Sequence, residues 1–366
     1  MRMRFLVYGA GVLGGNLACN LYRAKQDVTL LARGSWAQMI QKNGLILRRK
    51  FTPKPIVCRL PVITELKPED HYDVIFVVMR CTQLEGILDT LRANGTKNIV
   101  FVGNNVRTRE YVRLLPEKNV LLAFALSAGQ READKIVGID LKKITIGQLK
   151  DSPSNEGLIH QIFDAAGYKV VYEPNMEDYL LCHAAFVIPA AFACYYADGD
   201  LRRLKKDKAY LNRLIDANIE GYRAIEKSGH EILPKSDADY ESSSYRRTCY
   251  AFYKLMCATA LGKICASDHA MNAVDEMSAL NRDLKEFFEE TGAPYEAWKQ
   301  LEKTAEGYLK RGKGLVHKNL SVPMTVKSIA RGYCGDQNAW VFHIVYFLFG
   351  VKTIPAGTFP QPQGDG

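Results

Sequence analysis

The sequence predicts an α/β fold, in which an N-terminal Rossmann-type doubly wound sheet is followed by an all-helical C-terminal domain. Three observations support this prediction. Apolar runs of strand length alternate with helix-like segments in the first half of the chain, and a glycine-rich turn separates the first strand from the first helix. Strand patterns then give way to helical periodicity near Asn175. A chain of 366 residues is long enough for two domains.

The elements of the first half follow one another in an α/β order. Continuous apolar runs such as YDVIFVVMR are typical of strands buried on both faces, so we expect a parallel sheet with helices on both sides. The predicted strands are RFLVYG, VTLLAR, a smaller pair at GLILRR and PIVCRLPV, YDVIFVVMR, NIVFVGNN, VLLAFALS, KKITIGQL and YKVVYE. The predicted helices are VLGGNLACNLYRAK, SWAQMIQKNG, TQLEGILDTLRANG and GLIHQIFDAAG.

Helical patterns dominate the second half. Up to about Tyr308, apolar residues recur at every third or fourth position. We therefore predict a Rossmann-type domain over 1–174, a helical domain over 175–352 and a Pro- and Gly-rich tail over 353–366. The longest apolar run, 339–351, is too short to span a bilayer as a helix, so no membrane span is expected.

Composition narrows the class of function. Hydrophobic residues make up 47% of the chain and charged residues 24%, which is typical of a globular protein. The formal net charge of +9 is scattered, without the basic face that nucleic-acid binding requires, and it suits a small anionic ligand. None of the nine cysteines forms a C-x-x-C pair, so no metal is expected. No signal peptide precedes the first strand, so we expect free thiols in a reducing cytoplasm.

Three glycines after the first strand, Gly9, Gly11 and Gly14, have the spacing G-x-G-x-x-G. In a dinucleotide site the first glycine permits a tight turn, the second lets a pyrophosphate approach, and the third lets the helix pack closely on the sheet. The N-terminus of the following helix offers free N–H groups to the phosphates. The motif therefore predicts a dinucleotide site, and a glycine-rich turn without a ligand is the alternative.

Arg33 determines which dinucleotide is expected. NAD sites place an acidic residue at the end of the second strand, whereas this chain has Arg33 there and its nearby acid, Asp27, at the opposite end. A guanidinium matches a 2′-phosphate, so we predict NADP(H); a surface arginine without a ligand is the alternative. Asn104 follows a later strand at the same edge and is expected to hold the nicotinamide or the substrate, unless it is only a turn residue.

The ordered motifs together resemble the ketopantoate reductase (2-dehydropantoate 2-reductase) family. They are GAGVLGG, LLARG with NGLIL after it, VVMRCTQ, GNN, SAGQREADKIVG, ITIGQL and AAGYKVVYEPNM. The resemblance implies an NADP-binding Rossmann domain, a helical domain of the 6-phosphogluconate dehydrogenase C-terminal type, and a substrate cleft between them. It also implies hydride transfer between NADPH and a small 2-keto or 2-hydroxy acid, and a homodimer formed through the helical domain.

The second half departs from the family pattern. The family has a lysine early in the helical domain, and in this chain Cys182 or His183 stands at that place. Phe186 and Pro189 stand where amides are expected, and Arg80 replaces a lysine near the cofactor. The chain is therefore identified as a divergent member, whose substrate need not be ketopantoate itself.

Three residues are candidates for catalysis. Reducing a carbonyl requires a proton donor near the developing alkoxide, and His183 is the leading candidate, with a core histidine as the alternative. Arg80 is expected to hold a substrate carboxylate or the cofactor phosphates, unless it is a solvated loop residue. Glu276 is the third candidate, on one helical face with His269 and Asn272, and helix surface is its alternative.

Two other functions stay open at this point. A protein that kept the nucleotide fold and lost catalysis would act as an NADP-binding sensor. An opine-type dehydrogenase of the same superfamily would act on a secondary amine. Turnover that depends on His183 or Arg80 would argue against the sensor, and a rate that requires an amine would identify the opine-type enzyme.

Overall fold

The structure is a computed structural model that describes residues 3–49 and 54–310. The predicted apolar segment 339–351 and the tail 353–366 lie outside the described residues. The strands are β1 (Arg4–Tyr8), β2 (Asp27–Leu31), β3 (Leu45–Arg49), β4 (Ile56–Cys58), β5 (Val62–Ile63), β6 (Val74–Val77), β7 (Asn98–Val102), β8 (Asn119–Arg131), β9 (Ile136–Gly147) and β10 (Lys169–Glu173).

The helices fall into two groups. Those of the first half are α1 (Val12–Arg23), α2 (Gly34–Asn43), α3 (Leu88–Ala93), α4 (Thr108–Leu114) and α5 (Glu156–Phe163). Those of the second half are α6 (Met176–Tyr196), α7 (Lys208–Lys227), α8 (Ser243–Ala258), α9 (Ala260–Gly262), α10 (Asp268–Asn272), α11 (Val274–Thr291) and α12 (Glu296–Leu309). Strands therefore end at Glu173 among the described residues, and every longer element after it is helical.

The sheet is mixed. Strands β5, β2, β1, β6, β7 and β8 lie side by side in that order and run parallel. Strand β9 returns antiparallel to β8, and it also pairs in parallel with β3 and β10. The predicted fold class, a Rossmann-type sheet followed by a helical region, is confirmed. The expectation of a wholly parallel sheet is wrong at β9 and at the antiparallel pair of β3 and β4.

A long hairpin made of β8 and β9 reaches beyond the rest of the sheet. The sequence predicted strands only at VLLAFALS and KKITIGQL. In the structure β8 continues to Arg131, and β9 begins at Ile136. Gly129 and Gly138 face each other, and a Cβ on Gly129 would lie 2.6 Å from the Cα of Gly138. The side chain of Ile136 fills the space above Gly15 of α1, where a Cβ would lie 2.3 Å from its Cδ1. The hairpin therefore packs over α1, next to the glycine-rich turn.

Alternate residues of β1 belong to two different cores. Phe5 and Val7 face the core that contains α1, α2 and α5. Leu6 and Tyr8 face a second core, which continues through α3 and α4 into the helical region. Because the second core has no break between sheet and helices, the helical region is fixed against one face of the sheet.

Helix α6 lies in the middle of the helical region and is buried along most of its length. It is the one described helix long and apolar enough to cross a membrane, but 78% of its apolar window is buried within the protein, as in a core helix. Pro189 lacks the N–H that would pair with the carbonyl of Ala185. The side chain of Asn218 on α7 replaces that donor, with its Nδ2 3.0 Å from the carbonyl oxygen.

Cysteine pairing differs from the expectation. Cys19 on α1 and Cys58 on β4 form a disulfide. Five further described cysteines are free thiols, namely Cys81, Cys182, Cys194, Cys249 and Cys257. The prediction of free thiols is therefore wrong for Cys19 and Cys58. Cys334 lies outside the described residues.

Candidate active site

A cleft of about 810 Å³ lies between the C-terminal edge of the parallel strands and the helical region. The turns that follow β1, β6 and β7 form one wall, and β8 forms a second. Helices α6, α8, α10 and α11 form the opposite side. Ligands of doubly wound sheets bind at this edge, because the loops after neighbouring parallel strands diverge there.

The glycine-rich turn forms the sheet side of the cleft. Gly9 has a φ of 124°, and a Cβ on it would lie 2.1 Å from the carbonyl oxygen of Val78. A Cβ on Gly14 would lie 1.9 Å from the carbonyl oxygen of Gly9, so this residue sets the close approach of α1 to the sheet. A Cβ on Gly11 would meet no described atom within 4 Å. Gly11 therefore presents bare backbone to the cleft at the start of α1, which is where a phosphate group fits.

Two arginines stand at the mouth of the cleft beside the glycine-rich turn. Arg33 follows β2, is exposed and lines the cleft. Arg131 ends β8, and its guanidinium lies 5.2 Å from the ring centroid of Trp36. The Trp36 indole N–H donates to the carbonyl oxygen of Ala10 at 2.8 Å, which ties α2 to the turn. Neither arginine has a carboxylate partner among the described residues, so both guanidinium charges are available to an anion.

Glu276 lies deeper in the cleft and is 3% exposed. Burial raises the pKa of its carboxyl to about 7, although the Arg80 charge and a hydrogen bond from the side chain of Asn104 both oppose this. The Oε2 atom of Glu276 lies 3.4 Å from Nε2 of His269. A carboxyl with a pKa of about 7 can both donate and accept a proton at neutral pH. Sequence reasoning placed Glu276 last and allowed it to be helix surface, whereas the structure buries it.

Arg80 connects the two sides of the cleft. Its Nη1 lies 2.8 Å from Oδ1 of Asp275, and its Nη2 donates to the carbonyl oxygen of Asn272. Thr82 adds a contact of 3.4 Å from its hydroxyl to Oδ2 of Asp275. Arg80 is therefore partly solvated but paired, and its partner Asp275 is the residue next to Glu276. Asp275, its partner, was missed at the sequence level.

His183 lies on α6 and lines the cleft, with 7% of its surface exposed. Its ring packs against Phe124 of β8 at a centroid distance of 4.0 Å. Burial lowers its pKa to about 3, so the imidazole is neutral near pH 7. A neutral imidazole can donate a hydrogen bond but is a poor source of a proton. Burial, which lowers the pKa of His183 and raises that of Glu276, therefore favours Glu276 over His183 as the proton donor.

The predicted helical face of His269, Asn272 and Glu276 does not exist as one helix. The chain breaks at Ala273, with φ −131° and ψ 40°, so α10 ends at Asn272 and α11 begins at Val274. All three residues nevertheless line the cleft. His269 and Asn272 therefore reach the cleft from α10, and Glu276 reaches it from α11.

Aromatic side chains cover the inner end of the cleft. Phe186 of α6 stacks on Tyr253 of α8 at 5.8 Å and contacts Phe252 at 5.6 Å, measured between ring centroids. The Tyr253 hydroxyl donates to Oδ1 of Asn218 at 2.6 Å. This wall has apolar rings where the family pattern suggested amides.

A separate cluster of Glu177, Asp178 and His230 has atoms close enough together to hold a metal ion. Protein groups already occupy these atoms. Glu177 accepts from Arg109 at 2.6 Å, and Asp178 lies 2.6 Å from His230 Nδ1 and accepts from the backbone N–H of Glu231 at 2.8 Å. The cluster lies outside the cleft lining and anchors the start of α6.

Comparisons with known proteins agree with this architecture. Residues 5–151 match the family model of the ketopantoate reductase PanE/ApbA. The oxidoreductase YkpB of Bacillus subtilis is 28% identical over 90 residues, which are 25% of this chain and only 29% of that protein.

Two solved structures share the fold. The 2-dehydropantoate 2-reductase from Geobacter metallireducens GS-15 is 15% identical with a TM-score of 0.69, and the match covers 83% of this chain and 99% of that chain. D-mandelate dehydrogenase with NADH and anilino(oxo)acetate is 14% identical with a TM-score of 0.69, and the match covers 85% and 99% of the two chains. These identities establish the fold alone. With the family match, they confirm the predicted resemblance to ketopantoate reductases.

Proposed function

We propose that this chain is an NADP-dependent oxidoreductase that interconverts a 2-keto acid and a 2-hydroxy acid. The match of residues 5–151 to the ketopantoate reductase family model supports this proposal. One observation carries the proposal. A buried carboxyl, Glu276, with a pKa raised to about 7, lies beside Asn104 in the same cleft as the glycine-rich turn. The glycine-rich turn and the proposed proton donor, Glu276, therefore line the same cleft.

The residues present fit a nicotinamide dinucleotide. Gly11 leaves open the space that a pyrophosphate requires, and Oδ1 of Asn104 is buried without a hydrogen-bond partner among the described residues. Arg33 and Arg131 at the mouth favour the cofactor that carries a 2′-phosphate over the one that lacks it. When bound, the reduced cofactor supplies a hydride to the substrate carbonyl.

The protein groups have distinct roles in this proposal. Glu276 delivers a proton to the developing alkoxide oxygen and takes it back in the reverse direction. Neutral His183 donates a hydrogen bond to the same oxygen. Arg80 acts through Asp275 and positions Glu276, while its charge remains close enough to attract the substrate carboxylate.

Cofactor titration and turnover test this function on the full chain. We expect NADPH to bind more tightly than NADH, and its oxidation to accelerate with at least one 2-keto acid. If neither cofactor binds, the assignment of the glycine-rich turn is wrong. NADPH binding without turnover would favour the sensor, and a rate that requires an added amine would favour the opine-type dehydrogenase. Sedimentation of the same sample tests the predicted homodimer.

A further inference from the structure

The inner end of the cleft is a wall without charge. Among the described residues, the lining contributed by α6, α7 and α8 has no formally charged side chain at neutral pH. Its main members are Phe186, Val187, Leu214, Phe252, Tyr253 and Met256. The wall begins one turn beyond His183 on α6, so it adjoins the position at which the carbonyl would react.

The polar groups of this wall are already used within the protein. The Tyr253 hydroxyl donates to Asn218 at 2.6 Å, and the amide of Asn218 donates to the carbonyl of Ala185 at 3.0 Å. A hydroxyl on the substrate would meet mainly stacked aromatic rings here, and the Tyr253 hydroxyl, whose hydrogen is already donated to Asn218, could only accept from it. Burying an unpaired polar group is unfavourable, whereas burying an apolar group against these rings is favourable.

We infer that the substrate carries a bulky apolar or aromatic group next to its 2-keto carbonyl, an inference that rests on the proposed 2-keto-acid reaction. The charged end of the substrate lies toward Arg80, Asn104 and Glu276, and the apolar group lies against Phe186 and Phe252. The cleft thus divides into a polar part for the reacting atoms and an apolar part that selects the side chain.

A matched pair of substrates tests this selection. Trimethylpyruvate is ketopantoate without its hydroxyl group, so the two acids differ only in the polar group that an apolar wall disfavours. We expect kcat/KM with NADPH to be about tenfold or more higher for trimethylpyruvate, the factor typical of one buried hydroxyl without a partner. Phenylglyoxylate should also exceed pyruvate. Equal or better use of ketopantoate would overturn the inference.

Two variants test whether the preference for apolar substrates arises from this wall. Phe252→Leu keeps the wall apolar and removes a ring, so it should reduce the phenylglyoxylate to trimethylpyruvate ratio of kcat/KM. Phe288→Leu is the matched control, because Phe288 is 1% exposed in α11, packs on Trp298 and does not line the cleft. The control should keep the wild-type ratio. A ratio that changes equally in both variants, or in neither, would overturn the assignment of the wall.

Calorimetric titration of each acid in the presence of NADP measures binding alone, so it tests this inference independently of the proposed reaction. If trimethylpyruvate binds more tightly than ketopantoate but neither is reduced, the inference stands and the proposed reaction is wrong. If ketopantoate binds at least as tightly, the inference is wrong whether or not turnover occurs. Binding of neither acid also refutes it.

Discussion

Replacing Glu276 by glutamine separates its chemical role from its structural role. Glutamine has nearly the same shape and can still accept a hydrogen bond from Asn104, but it cannot deliver a proton. We expect kcat for reduction to fall by about 10²–10⁴-fold, the range typical of a lost general acid. In the wild-type protein the rate should decline as pH rises through about 7, because only the protonated carboxyl donates. This inflection should be absent in the variant.

The same substitution should stabilise the fold at neutral and alkaline pH. The pKa of Glu276 is raised from 4.5 to about 7 in the folded state, so the folded protein holds a proton that the unfolded chain releases between these values. Stability is therefore greatest below the unfolded pKa and is lost as pH rises through the folded pKa. At 1.36 kcal/mol per pKa unit, the loss approaches about 3 kcal/mol above pH 7. Glutamine avoids this loss.

Urea unfolding of both proteins at about pH 8 and about pH 5 measures the effect. The free energy of unfolding of Glu276→Gln should exceed that of the wild type at the higher pH, and the difference should shrink at the lower pH. Glu289→Gln on the exposed face of α11 is the control and should change neither rate nor stability. A variant that retains full activity, or that is less stable at about pH 8, would refute the role of a buried acid with a raised pKa.

Other substitutions test the rest of the site. Gly11→Ala should fold normally and weaken NADPH binding in a fluorescence titration, whereas Gly14→Ala should lower the melting temperature, because its Cβ would lie 1.9 Å from a carbonyl oxygen. Arg131→Ala should raise the Kd of NADPH about tenfold and leave that of NADH unchanged; equal effects would show that no 2′-phosphate is bound there. His183→Gln should keep the pH inflection near 7, since burial already holds the imidazole neutral; loss of the inflection would make His183 the proton donor.

Local patterns predicted the strand, the glycine-rich turn and the helix at the start of the chain well. Strand, glycine-rich turn and helix are consecutive in sequence, so the geometry around Gly9, Gly11 and Gly14 follows from local rules. The hairpin of β8 and β9 did not follow from such rules. Its outer part, SAGQREADKIVG, is rich in residues with low β-propensity, and the strands form because Gly129 and Gly138 allow close pairing and Ile136 packs on α1. Arg131 was missed for this reason.

The substrate side depended on contacts that no local pattern contains. Periodicity across DHAMNAVDEM predicted one continuous helix. The ion pair between Arg80 and Asp275 joins residues 195 positions apart, so no local pattern contains it. Arg80 draws Asp275 and the carbonyl of Asn272 toward the loop after β6, which fits the break at Ala273. His183 was ranked first because of its place in the family pattern and because imidazole suits proton donation, yet burial lowers its pKa to about 3.

The same ion pair explains how one cleft can hold cofactor and acid in a fixed relation. The glycine-rich turn belongs to the sheet, whereas Glu276 belongs to the helical region, and the contact of Arg80 with Asp275 joins the sheet side of the cleft to the helical side next to Glu276. Arg80 also lowers the pKa of Glu276, while burial and the Asp275 charge raise it. A lysine has its three N–H donors on one nitrogen, whereas the planar guanidinium of Arg80 donates from two separate nitrogens, to the carboxylate of Asp275 and to the carbonyl of Asn272. The arginine that departs from the family pattern therefore fits a site in which the acid is a buried glutamic acid.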